Sequence, residues 1–210
     1  MTTSSERSSQ QDSRTALLAA AKSLFARKGY AATTVREIVE LAGVNVSLIS
    51  YHFGGKEGIY REVLKALGTE SSDLAEEILS TPRTKEEFHQ KLKKFITRNL
   101  ERCADDQDAV FLLSREVDNL TPVFKELLEP LFFTAIKYTE NFLIQGQERG
   151  YISKGVDTWF LASSLHGQIL WIGRSQRIRE EMHNKTIRED DERERNINQL
   201  FALFTGNISA

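Results

Sequence analysis

The chain has 210 residues, 40% of them hydrophobic, enough to bury a core in one large domain or two small ones. Only 3 prolines, 12 glycines and few β-branched runs favour an all-α protein. The net charge of −2 excludes a general polyanion binder, and no apolar run approaches the roughly twenty residues of a membrane span.

The charge is uneven. Residues 14–67 hold eight basic side chains against four acidic ones, a net +4, which leaves −6 for the rest. A basic front end on an acidic body fits nucleic-acid contact at one end. Cys103 is the lone cysteine, so no intramolecular disulfide is possible, which fits a reducing cytoplasm. No signal-peptide pattern precedes Ala16, and a cytoplasmic location is expected.

In chain order, residues 1–12 are polar after Met1 and read as a disordered tail. Residues 13–28 form the first predicted helix, with Leu17, Ala20, Ala21, Leu24 and Phe25 on one face and Gly29 ending it. Val35, Ile38, Val39 and Ala42 share a face of a second, short helix, capped by Thr33 or Thr34 and stopped by Gly43. Asn45 caps a third helix, on which Ile49 and Phe53 turn inward and Val46, Ser47, Ser50 and Tyr51 outward. A short helix with a small polar outer face fits a major groove, although helical hairpins also occur without DNA.

A Gly54-Gly55 joint leads into a helix from Lys56 to about Leu79. Lys56 stands at a helix start, where backbone amides already favour an anion, so it makes electrostatic sense beside a phosphate. A break at residues 81–84 follows. Phe88, Leu92, Phe95, Ile96 and Leu100 mark the next helix, and residues 109–117 another. Thr121-Pro122 opens a long one ending at Arg149-Gly150. From Val156 to about Arg179 large residues mix with small ones. The last helix, about residues 188–205, carries Ile197, Leu200, Phe201 and Phe204 at i, i+3, i+4 and i+7. These last two helices are expected to pair with the same two in a second copy, through Ser163, Gly167, Leu170, Ile197, Leu200, Phe201 and Phe204.

The expected division is a tail over 1–12, a three-helix helix-turn-helix DNA-binding domain over 13–67, and a helical effector-binding and dimerisation domain over 68–210. Phe95, Phe111, Phe133, Trp159 and His166 are candidates to line an effector cavity, with Arg115 holding an anionic group. Each has plain core packing or a surface ion pair as its rival reading. No Gly-x-Ser-x-Gly, phosphate loop or His-Glu-x-x-His occurs, and the four histidines lack ligand spacing. No enzyme activity, cofactor or metal is expected.

Ala20-Ala21, Leu24-Phe25, Gly29-Tyr30, Thr33-Thr34, Ile38, Ala42-Gly43-Val44, Tyr51-His52-Phe53 and Lys56-Glu57 together resemble the TetR family of transcriptional regulators. Asn45 and the run from Tyr51 to Tyr60 resemble its CecR-like branch more than the tetracycline-responsive one. The resemblance implies a homodimeric repressor released from a near-palindromic operator by a small molecule. It puts Thr34, Tyr51, His52 and Lys56 on phosphates and Val46, Ser47, Leu48 and Ser50 towards bases, with Asn45 in the same DNA-binding set. Leu48 stands where Thr is common and Ser50 where Tyr is common. The outward face then lacks a long bidentate side chain, and Arg36 is the candidate to supply one. Part of the selectivity is expected from DNA shape. The alternative is a helical protein-interaction adaptor with a solid, cavity-free body.

Overall fold

The structure is a computed structural model and describes residues 4–206. Among these the protein is all-α. The helices are α1 (Ser4–Ala32), α2 (Val35–Ala42), α3 (Ser47–Phe53), α4 (Lys56–Ile78), α5 (Lys85–Asp105), α6 (Gln107–Asn119), α7 (Glu129–Glu148), α8 (Thr158–Arg174), α9 (Gln176–His183) and α10 (Asp190–Gly206). Helix α1 begins at Ser4, inside the stretch whose composition suggests a disordered tail; residues 1–3 of that stretch lie outside the described residues. Gly29, at φ 81°, interrupts α1 where its end is expected.

Two apolar cores organise the chain. Leu17, Phe25, Ile38, Ile49, Ile59 and Leu64 centre the first, in which α2 and α3 fold back on α1 and the start of α4. Leu112, Phe124 and Leu128 reach into it from the body. Phe88, Phe95, Ile96, Phe142, Leu165 and Leu200 belong to the second. Helix α4 spans both: Ile59 to Leu67 pack in the first core, Ala75 and Ile78 in the second. The changeover falls at Gly68, where α4 passes close to α7. A Cβ on Gly68 would stand 2.8 Å from Leu131 Cδ1 and 3.0 Å from Leu131 Cβ.

Two local features depart from simple periodicity. The helix opened by Pro122 passes through a π-helical turn, Phe124–Leu128, before α7, and the Glu129 amide donates to the Phe124 carbonyl. Pro130 follows at once. It has no N–H to give the preceding turn, and a widened turn accommodates that loss. The helix expected over residues 156–179 is two helices, α8 and α9, parted at Ser175. Gln176 fixes the break. It is buried, its Oε1 accepts from the Ile187 amide at 3.0 Å, and its Nε2 donates to Thr186. These are tertiary contacts with no counterpart in local spacing.

Gly68→Ala tests the close approach of α4 and α7. Overpacking costs about 1–3 kcal/mol, against a helix-propensity gain of at most about 1 kcal/mol. Urea unfolding should therefore show no gain in stability and a net loss of up to roughly 2 kcal/mol. A more stable variant would contradict the packing.

Candidate nucleic-acid interface and central cavity

Helix α2 is fixed by a reciprocal cap. Thr34 Oγ1 accepts from the Glu37 amide at 3.2 Å, and Glu37 Oε2 accepts from the Thr34 amide at 2.9 Å. The Lys28 ammonium beside it, followed by the Thr34 bonds, holds the Glu37 carboxyl well below its usual range, at about 2. Gly43, at φ 67°, closes the helix. Asn45 Oδ1 then accepts from the Ser47 amide and the Ser47 hydroxyl, both at 2.9 Å, and sets the start of α3. Helix α3 lodges Ile49 in the first core. The chain leaves it through Gly54 (φ 71°) and Gly55 (φ 129°), two successive backbone conformations that favour glycine.

The outer face of α3 presents Val46 and Tyr51, 56% and 68% exposed, together with Ser47 and Ser50. Arg36 is also exposed, paired with Glu40 at 2.9 Å on its own helix. The other five candidates sit differently. Thr34 and Asn45 spend their side chains on the caps just described. Leu48 turns half inward against the first core, so it is not a free base-reading side chain. His52 is half-buried, with Nε2 3.4 Å from Ser13 Oγ. Lys56 is half-buried as well, its ammonium 4.4 Å from the centre of the Tyr30 ring and 3.4 Å from the Ala31 carbonyl oxygen. Glu57 pairs with Arg61 instead, at 3.0 Å. Lys56 is therefore held in place at the start of α4 by the end of α1.

A cavity of about 290 Å³ lies in the body. Its apolar wall comes from Val110, Leu113 and Val117 of α6, Phe124 and Leu128 of the π turn, Phe132 of α7 and Ile169 of α8. Its polar lining comes from Glu70 and Ser71 of α4, Asn99, Arg102 and Asp105 of α5, Asp106, and His166 of α8. Arg102 Nε bonds Glu70 Oε1 at 3.1 Å, tying α4 to α5.

Only His166 of the six effector candidates lines this space. Phe95 is buried behind it, ring centres 5.6 Å apart. Phe111 packs against the first core. Arg115 points away and donates to the Phe25 carbonyl at 3.2 Å, so it joins α6 to α1 and holds no anion in the cavity. Phe133 and Trp159 stack on each other, centres 6.0 Å apart, at the surface. Helical spacing groups residues on a face without saying what that face meets. Pro130, well inside an apolar helical pattern, is the sequence signal that marked the cavity-forming π turn.

The dimer candidates divide in the same way. Ile197, Leu200 and Phe204 are buried in the chain's own second core, chiefly against α5, and Phe201 is partly buried there. They are not available to a second copy. Gly167 is exposed, and Ser163 and Leu170 are partly so. Beside Trp159, the large apolar side chains that α8 and α10 leave exposed include Phe160 (66%), Trp171 (61%) and Leu203.

Residues 17–63 match the family model for bacterial regulatory proteins of the tetR family. The N-terminal domain is therefore of the tetR type. It is 31% identical over 107 residues to the HTH-type transcriptional repressor KstR2 of Rhodococcus jostii (strain RHA1), which covers 51% of each chain. The chain thus spans about half the length of that relative in the match. Two solved structures share this fold over nearly the whole chain. The ketosteroid transcriptional regulator KstR2 of Mycobacterium tuberculosis superposes with TM-score 0.73 at 22% identity, over 94% of this chain and 95% of that one. The regulator FadR from Bacillus subtilis, in complex with stearoyl-CoA, gives TM-score 0.73 at 19% identity, over 92% and 98%. Among the described residues no helix is long and apolar enough to cross a membrane, and no cluster of His, Cys, Asp and Glu is placed to hold a metal.

Burial holds His166 neutral, pulling its pKa from 6.5 down to about 4. The unfolded chain therefore gains a proton near pH 6.5 that the folded one refuses until about 4, so folding loses stability as pH falls through that window. Unfolding curves between those pH values should show a loss of up to about 3 kcal/mol attributable to this side chain. The His166→Phe variant should show a shallower pH slope. An unchanged slope would contradict the assignment.

Proposed function

We propose that the chain is a homodimeric, sequence-specific DNA-binding transcriptional repressor, released from a near-palindromic operator by a small molecule held in the central cavity. It divides into a reading head over residues 13–67 and an effector-binding and dimerisation body over 68–210, works in the cytoplasm and carries out no catalysis. The observation that carries this reading is the outer face of α3: Val46, Ser47, Ser50 and Tyr51 stand out around a buried Ile49, with Lys56 held at the start of α4, in a TetR-family domain.

Helix α3 enters the major groove, Val46 against a thymine methyl and the serines as hydrogen-bonding groups. Tyr51, Lys56 and the backbone around them serve phosphates. That face holds no Arg or Gln, so Arg36, released from its exposed pair with Glu40, is the long side chain at hand for a base. Shape readout supplies further selectivity. Phe160, Gly167 and Trp171 on α8 and Leu203 on α10 form the face for the second copy, joined by the partly exposed Ser163 and Leu170. The KstR2 relative is named a repressor, and the FadR neighbour holds stearoyl-CoA; both support this reading. A solid body would have favoured an adaptor without a small ligand, and the cavity argues against that alternative.

Operator selection from a random duplex library should yield a near-palindrome bound with steep salt dependence. Lys56→Ala should weaken binding on the order of tenfold on every duplex and lower the salt slope by about one. Salt-independent binding, or no preference over random DNA, would overturn the proposal.

A further inference from the structure

We infer that the cavity takes an uncharged, largely apolar molecule bearing a hydroxyl, an apolar phenol or alcohol, rather than a carboxylate, with His166 Nδ1 and Asn99 Oδ1 as the acceptors. The inference rests on the proposal that the cavity is the effector site, and adds the chemistry of the occupant.

The proton count leads there. Thr139 has one hydroxyl proton, donated to the Ala135 carbonyl one helical turn back, at 3.1 Å. Its oxygen lies 2.9 Å from His166 Nε2, so the imidazole nitrogen is the donor in that contact. Burial keeps the ring neutral. Nδ1 is therefore an unprotonated acceptor, on a side chain lining the cavity, with no partner among the described residues. Asn99 repeats the pattern. Its Nδ2 donates to the Phe95 carbonyl at 2.9 Å, which leaves Oδ1 without a donor.

The remaining polar lining agrees. Ser71 gives its proton to the Leu67 carbonyl at 3.1 Å. Asp105, an acceptor when ionised, has no partner among the described residues. Asp106 accepts from the Ala109 amide and from Lys22. Arg102 is the one cation in the lining, and its charge is committed to Glu70 at 3.1 Å. Cys103 stays a thiol, its pKa pushed up to about 11 by burial. A carboxylate would meet free acceptors and a second carboxylate, and would lose its water without compensation. A hydroxyl supplies the proton these acceptors lack. A cavity of about 290 Å³ lies at the lower end of the roughly 300–1,000 Å³ range of small-molecule sites, room for a bicyclic skeleton.

Three probes of one skeleton separate the possibilities by titration calorimetry on the full chain: 2-naphthol, its O-methyl ether 2-methoxynaphthalene, and 2-naphthoate. 2-Naphthol should bind at least about tenfold more tightly than either of the others, because a site built to hydrogen-bond a hydroxyl rejects analogues lacking it. His166→Phe and Asn99→Leu should each shrink that preference, and Asn99→Asp, which keeps an acceptor, should retain it. Thermal melts confirm that each variant folds. Equal or tighter binding of 2-naphthoate, a preference unchanged in both His166→Phe and Asn99→Leu, or no binding of any probe up to its solubility would overturn the inference. The effector reading is read separately, from operator release. Preferential 2-naphthol binding without release upholds the ligand chemistry and contradicts the effector role. Release by 2-naphthoate alone does the reverse.

Discussion

The carboxylate of Glu116 is the point on which the two halves of this molecule meet. It is 2% exposed and forms no ion pair among the described residues. Its charge is carried by two hydroxyl donors, Tyr60 from α4 and Thr121, the latter at 2.5 Å. The Tyr60 hydroxyl stays protonated, its pKa raised first by burial and then by the bond to Glu116. Thr121 in turn accepts from the Phe124 amide at 3.0 Å, at the start of the π turn. On the other side the Tyr60 ring lies 4.7 Å from Tyr30, and Tyr30 carries the Lys56 ammonium. A continuous set of contacts thus runs from Phe124, in the cavity wall, to Lys56, at the start of α4. Arg115 adds a second tie from α6 to α1. Separating α4 from α6 would strand a buried carboxylate, at a cost of about 1–3 kcal/mol or more. The head is therefore fixed in orientation on the body, and a change in the shape of the cavity wall has a physical route to it.

The N-terminal head was legible because its determinants are local. A capping Thr, an apolar i, i+3, i+4 face and glycines at left-handed positions stand within a few residues of what they determine. Thr34, Gly43, Asn45 and Ile49 illustrate this for α2 and α3. The chemistry of individual positions was less legible. Thr34 and Asn45 have side chains suited equally to caps and to phosphates or bases, and the fold spends them on the caps. Leu48 follows the same helix as Val46 and Ser50, yet its angle around the axis turns it towards the core.

In the body, pattern showed which residues share a face but not which neighbour that face meets. Ile197, Leu200 and Phe204 have the spacing of an interface and serve the chain's own core. Phe133 and Trp159 have the look of a cavity lining and stack outside. The cavity wall includes a π turn ahead of Pro130, and α8 ends at a break at Ser175 held by Gln176 and Ile187. Neither is a periodic feature. The polar lining comes from three helices distant in sequence, so the shared acceptor character of His166 and Asn99 emerges only when their other hydrogen bonds are placed.

The claim that head and body are joined through Glu116 is tested most directly by a double-mutant cycle on unfolding free energy with Tyr60→Phe, Glu116→Gln and the pair. The two groups touch across the seam, so the effects should be non-additive, with a coupling of about 1 kcal/mol or more. Additivity within about 0.5 kcal/mol would mean that the contact does not hold the two halves together.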